Sequence, residues 1–155
     1  MTVDRRYSDS DCFLGWLLAE ADKEEQCRVV LDAAERGNVL IVSSALTIAE
    51  VLAIRGRPRI SGDRRALVEG FFRNEYIIIR NLTRRVAELA RGMVWDHGIA
   101  PKDAVHVATA LDAGLVLMNT FDRDLWGHSG KIGAPSLTIE FPQIAEPPLP
   151  FDRKL

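Results

Sequence analysis

The sequence predicts an α/β fold, with helices packed around a mainly parallel sheet. Short apolar runs of strand length alternate with longer helix-patterned segments, and Gly, Pro, Ser or Thr marks most junctions between them. At 155 residues the chain fits one domain able to bury a real core. Its 47% hydrophobic and 27% charged residues are ordinary for a globular protein. No apolar run reaches bilayer-spanning length and no signal-peptide pattern opens the chain, so a cytoplasmic protein without membrane partners is expected.

The elements follow in order. "TVDRRYSD" reads as a first strand with Val3, Arg5 and Tyr7 on one face, polar for a buried strand. "SDCFLGWLLAE" and "DKEEQCRVVLDAAERG" read as helices, the second amphipathic and stopped by Gly37. "NVLIVS" is a short apolar strand, after which Ser43 or Ser44 can cap the helix "ALTIAEVLAIRG". "RPRISGD" breaks the pattern before the short helix "RRALVEGFFRN". "EYIIIR" is the plainest strand, its three isoleucines predicting burial on both faces. Thr83 begins a helix that Gly98 ends, and Pro101 opens another that runs to Gly114. "LVLMNT" and "SLTIEF" supply the last strands, and a tail holding four of the seven prolines reads as an arm outside the core.

Cys12 and Cys27 show no metal-ligand spacing and read as buried free thiols in a reducing compartment. The formal net charge of -2 is uneven: between Arg55 and Arg91 stand ten arginines against four acids. That stretch suits either phosphate contact or a solvated face with local ion pairs.

Four acids fall at element junctions or on apolar helix faces. Asp9 ends the first strand, Glu50 lies in "SALTIAEVL", Asp103 is in the first turn of "PKDAVHVATA", and Asp122 follows "LVLMNT". Residues just past the carboxyl ends of parallel strands converge on one crevice, however distant in sequence. Carboxylates gathered there need protonation or a hard cation; Mg²⁺ or Mn²⁺ suits oxygen donors, and no Cys/His set exists for zinc. Singly, Asp9, Asp11 and Asp103 also suit helix N-termini, and Asp122 and Asp124 an ordinary turn. Glu50 resists that reading, being flanked by Ile48, Ala49, Val51 and Leu52.

"YSDSDCFL", "SSALTIAEVL", "DAVHVATALDAG" and "LVLMNTFDRDLW" stand in this order, and together they resemble the acidic motifs of PIN-domain proteins, most closely VapC-type toxins of type II toxin–antitoxin pairs. The third piece is the most specific, and the likeness reaches about Glu140. The resemblance implies a three-layer α/β/α PIN-like sandwich over residues 1–140, followed by a Pro-rich tail, 141–155. It implies Asp9, Glu50, Asp103 and Asp122 as the catalytic acids, with Asp9, Asp103 and Asp122 as metal ligands. Ser10 and Thr120 match accessory hydroxyls, and Asp124 is an extra acid. Asp11 stands where the family more often has Asn, which leaves Asp9 and Asp11 as alternative first-strand ligands; Asp9 is preferred because it follows Tyr7 at the strand end.

The implied activity is Mg²⁺- or Mn²⁺-dependent endoribonuclease action by a toxin, with RNA as substrate and a cognate antitoxin and a second copy of the chain as partners. A PIN-like binding or operon-regulatory module and a structure-specific DNA nuclease are the alternatives. The intact acidic set disfavours the first, and the absence of a helical arch disfavours the second. Arg55, Arg57 and Arg59, with no acid beside them, are expected to contact RNA or the partner. Surplus apolar surface on "CFLGWLLAE" and "ALTIAEVLAI" is expected to meet a partner. His106 is expected to pack or hydrogen-bond, His97 and His128 to be peripheral, and Trp16, Trp95 and Trp126 to be core or rim aromatics.

Overall fold

Alternating strand and helix segments become, in a computed structural model, five strands, seven α-helices and one short 3-10 helix (Gly62–Arg64) among the described residues, which are 3–18, 24–52 and 59–145. The strands are β1 (Asp4–Ser8), β2 (Val39–Ser44), β3 (Ile77–Arg80), β4 (Leu117–Asn119) and β5 (Thr138–Glu140). The helices are α1 (Ser10–Leu18), α2 (Glu24–Glu35), α3 (Ala45–Glu50), α4 (Arg65–Phe72), α5 (Arg84–His97), α6 (Pro101–Asp112) and α7 (Arg123–Trp126). All strand pairings are parallel, in the order β3-β2-β1-β4-β5. The chain therefore builds outward from β1 through β2 to β3, then returns to place β4 on the other side of β1. That reversal makes a topological switch point between β1 and β4.

Helices cover both faces, giving the three layers. On one face α1, α2 and α4 bury Phe13, Leu17, Val30, Ala34 and Val68 against Ile41 and Ile77. On the other, α5 and α6 bury Val86, Met93, Val107 and Ala108 against Tyr7, Val42 and Met118. Phe13 stacks on Phe72 at 5.2 Å and meets Trp16 edge-on at 4.9 Å. Such aromatic pairs add about 0.5–1.5 kcal/mol beyond their burial. Among the described side chains of α1, Cys12, Phe13 and Leu17 are buried and Leu14 and Trp16 pack half-buried against the core, so these residues do not form the exposed apolar surface expected of the helix. In α3, by contrast, Ile48 is exposed, as is Leu52 just beyond it.

The polar first strand lies at the centre of the sheet. Arg6, only 3% exposed, donates to Asn119 Oδ1 at 3.2 Å and to the Gln143 carbonyl at 2.6 Å, and it pairs with Asp4. A guanidinium survives burial because these partners replace its water. The expected common face of Val3, Arg5 and Tyr7 has an exposed end, since only Tyr7 of the three is buried. The isoleucines of β3 do point to both layers, yet the strand is an edge and Ile78 and Ile79 are half-buried.

Local signals set the ends of the helices beside the site. Ser44, rather than Ser43, caps α3 by accepting from Leu46 N at 3.1 Å. Thr83 caps α5 by accepting from Val86 N at 3.2 Å. Gly98 ends α5 at φ 65°, a left-handed conformation that glycine holds without strain. Pro101 then opens α6. The turn expected around Asp122 is the single-turn helix α7, with Asp122 as its N-cap.

Candidate active site

Asp9 follows β1 and Thr120 follows β4, so the switch point holds them side by side; Asp9 N donates to the Asn119 carbonyl at 3.4 Å. Thr120 Oγ1 lies 2.6 Å from Asp9 Oδ2 and 3.3 Å from Asp11 Oδ2. Its single hydrogen goes to the nearer oxygen. The second contact shows how closely Asp11, in the first turn of α1, approaches. Phe121 N donates to Asp11 Oδ2 at 3.1 Å. Asp122 N donates to Thr120 Oγ1 at 3.0 Å, and Trp126 Nε1 to the Thr120 carbonyl at 2.9 Å. Trp126 thereby anchors the β4–α7 turn that carries Thr120 and Asp122.

Across the crevice, α3 presents Glu50. Its Oε2 accepts from Ser10 Oγ at 3.3 Å, and its Oε1 lies 2.8 Å from His106 Nε2. His106 is buried on α6, one turn beyond Asp103, and its Nδ1 meets the Tyr7 hydroxyl at 2.6 Å. Its hydrogen-bonding role is the one expected. Asp103, half-buried, lines a cleft of about 160 Å³ with Asp124 and His128. Asp9, Asp11, Glu50 and Asp122 do not line this cleft, so His128 neighbours Asp103 alone of the four implied catalytic acids there. His97 packs edge-on against His128 at 6.1 Å.

Crowding perturbs these acids in opposite directions. Burial, then the charge of Asp11, pushes the Asp9 carboxyl well above its ordinary range. Burial, then the charge of Asp122, also raises Asp103, with Glu50 and Asp11 adding to the effect. Burial alone would raise Glu50, but its hydrogen bonds to His106 and Ser10 outweigh that and bring it below its ordinary value. Divergent carboxylates in one crevice are a common mark of acid–base or metal chemistry.

Asp9 Oδ1 and Asp11 Oδ1 are buried with no hydrogen-bond partner. With Cys12 Sγ they form a group of donors mutually within 4.8 Å. The thiol is no ligand for a hard ion: it points at the Asn119 carbonyl, 3.5 Å away, and burial and the two aspartates hold it protonated. What remains is an oxygen set around two unsatisfied carboxylates, which fits a hard divalent cation. It shares only Asp9 with the ligand set that the resemblance implies.

The PIN domain family model matches residues 7–127. The chain belongs to the PIN-domain family. Comparison with curated proteins finds no match. A toxin–antitoxin complex from Klebsiella pneumoniae contains a chain of similar fold, with TM-score 0.57 and 19% identity over 83% of this chain and 96% of that one. VapC20 of Mycobacterium tuberculosis, a toxin that cleaves the sarcin–ricin loop, is similar with TM-score 0.59 and 15% identity over 77% and 91% of the two chains.

Within this PIN domain the arginines scatter. Arg84 pairs with Glu88, Arg85 and Arg80 pair with Asp112, and Arg91 lies over the ring of Trp95, which is 75% exposed. Arg59 is exposed, while Arg55 and Arg57 lie outside the described residues. Of the tail, Gln143 meets Arg6 and Ile144 packs on the core, while residues 146–155 lie outside the described residues. Sequence reasoning passed over Tyr7 as a site residue. Its only signal was a lone aromatic two positions before Asp9, on the inward face of the strand.

Proposed function

We propose that this PIN domain is a metal-dependent endoribonuclease, the toxin of a toxin–antitoxin pair. The observation that carries this reading is the pair of buried, unpartnered carboxylate oxygens on Asp9 and Asp11 at the switch point, with Asp103 near enough to feel the charges of Asp11, Asp122 and Glu50. Asp9, Asp103 and Asp122 would hold Mg²⁺ or Mn²⁺, with Asp11 the alternative to Asp9. A bound ion of this kind supplies Lewis acidity toward a phosphate and lowers the pKa of bound water. The protein's own parts orient and exclude. Thr120 holds Asp9 and the α7 cap in one register, and Ser10 and His106 hold Glu50 ionised where it can accept a proton from a water. Asp124 and His128 form the wall of the cleft beside Asp103. The likeness to VapC20 and to a toxin–antitoxin complex supports RNA as substrate and a protein antitoxin as partner.

Surface features support the partner assignments. Ile48, Leu52, Val68, Phe72 and Ile79 line an apolar groove of about 590 Å³, which suits an antitoxin segment. Leu89 and Trp95, exposed on α5, and Leu82 just before it suit a homodimer contact. Among the described residues no helix is long and apolar enough to cross a membrane. The buried free thiols of Cys12 and Cys27 fit a cytoplasmic setting.

The decisive experiment is cleavage of defined RNAs with Mg²⁺, Mn²⁺ or EDTA, using wild type and Asp103→Asn. Metal-dependent cleavage that disappears in a folded Asp103→Asn variant is expected. Cleavage surviving in EDTA would sink the metal reading. Cleavage of DNA but not RNA would favour the DNA nuclease, and no cleavage with retained antitoxin binding would favour a binding module.

A further inference from the structure

We propose that Tyr7 and His106 are positioning residues that aim Glu50 into the crevice through one directed line of hydrogen bonds. The line runs from Ser44 N–H to the Tyr7 oxygen, from the Tyr7 hydroxyl to His106 Nδ1, and from His106 Nε2–H to Glu50 Oε1. Its three links measure 3.1, 2.6 and 2.8 Å.

The direction of the line follows from donor counting. An ionised carboxylate only accepts, so His106 Nε2 must carry a hydrogen. The Tyr7 oxygen already accepts from Ser44 N–H, so its own hydrogen goes to His106 Nδ1, which accepts it. Tyr7 is fully buried, so its hydroxyl has only these protein partners to meet. Its oxygen in turn accepts the Ser44 N–H, which a capped helix start leaves free. The line also closes on itself. Ser44 caps α3, and α3 carries Glu50 as its last residue, so the hydrogen bonds fix the helix start, the strand β1 and the side chain at the helix end together. Because His106 and Asp103 share α6, the same line sets Glu50 relative to Asp103. A free Glu side chain has several rotatable bonds, and Ser10 alone, at 3.3 Å, is a weak tether for it.

The test uses the full chain without metal and three substitutions. Tyr7→Phe removes the donor to Nδ1. His106→Gln keeps an amide that can reach Glu50, whereas His106→Asn reaches only toward Tyr7. Nitrogen-15 NMR of histidine in wild type is expected to show the Nε2–H tautomer for His106, and side-chain couplings a single rotamer for Glu50. In Tyr7→Phe and His106→Asn the Glu50 rotamer should average, and in His106→Gln it should stay single. The kinetic arm rests on the ribonuclease reading: kcat should fall about tenfold in Tyr7→Phe and His106→Asn, the scale of one buried hydrogen bond, with KM nearly unchanged and kcat largely kept in His106→Gln. An Nδ1–H tautomer in wild type, a single Glu50 rotamer in every variant, or equal loss of kcat in the Gln and Asn variants would overturn the proposal. If wild type cleaves no RNA, the ribonuclease reading fails, and the tautomer and rotamer still decide the positioning. Where a variant does not fold by thermal unfolding, the wild-type tautomer decides alone.

Discussion

Replacing Asp9 by Asn is expected to stabilise the metal-free protein and to abolish its stabilisation by divalent cations. Asn nearly matches Asp in shape, so packing around this 5%-exposed residue is kept. Donor atoms of Asp9 and Asp11 lie within 4.8 Å of each other. At that separation two unit charges repel by about 3.5 kcal/mol for an effective dielectric near 20. The raised pKa of Asp9 means that a proton already relieves part of this repulsion. Against the gain stands the new amide N–H₂, which needs an acceptor. The unpartnered Asp11 Oδ1 is available, and a failed match would cost about 1–3 kcal/mol. The net expectation is about 1–2 kcal/mol of stabilisation, or roughly 2–8 °C in Tm for a chain of this size. With Mn²⁺ at a hundred times its Kd, wild type should gain about 2.7 kcal/mol and the variant almost nothing, reversing their order. Calorimetry at pH 7 in EDTA and in MnCl₂ measures both. The reasoning is refuted by a variant that melts below wild type in EDTA, or by one that keeps the full Mn²⁺ shift.

Three further outcomes can be checked. Asp9 and Asp103 have raised folded-state pKa values, so their stabilising contributions are complete below about pH 4 and are lost as pH rises through those values, whereas that of Glu50 is lost as pH falls. Urea unfolding in EDTA should therefore show the two aspartates weakening the protein from about pH 4 toward neutrality, less steeply in Asp9→Asn; identical slopes would contradict the assignment. Arg6→Ala strips the partner from Asn119 Oδ1 and the Gln143 carbonyl and leaves the half-exposed Asp4 to solvent, and it should cost about 1–3 kcal/mol in chemical unfolding; no measurable loss would show that water replaces the guanidinium. Replacing Arg55, Arg57 and Arg59 together by Gln should weaken RNA binding and reduce its log–log salt slope by about 2, from roughly 0.7 per phosphate contact; an unchanged slope, with antitoxin binding lost, would assign the arginines to the partner.

Sequence by itself determined the features that depend on neighbours within a turn or two. Thr83, Gly98, Pro101 and the Ser43–Ser44 pair mark helix ends because they satisfy or spare backbone groups beside them, and the apolar period of "NVLIVS" and "PKDAVHVATALDAG" follows from which side must be buried. The four acids could be named as candidates, too, because they stand at element junctions or on an apolar helix face and match the acidic motifs of the family. Tertiary structure alone decided what those residues meet. The polar first strand is central because Arg6 finds Asn119, 113 positions away, and no local pattern encodes that partner. Tyr7 reaches His106 across 99 positions, and the direction of that bond depends on Glu50, which a third segment supplies. The closeness of Asp11 to Asp9 came from the same source: an Asp in a first helical turn is ordinary, and only the Thr120 hydroxyl contacting both carboxylates shows that they share one desolvated space. Hydrogen bonds and charge repulsion act over a few ångströms, so they become definite only once the sheet order has set which chain segments lie that close.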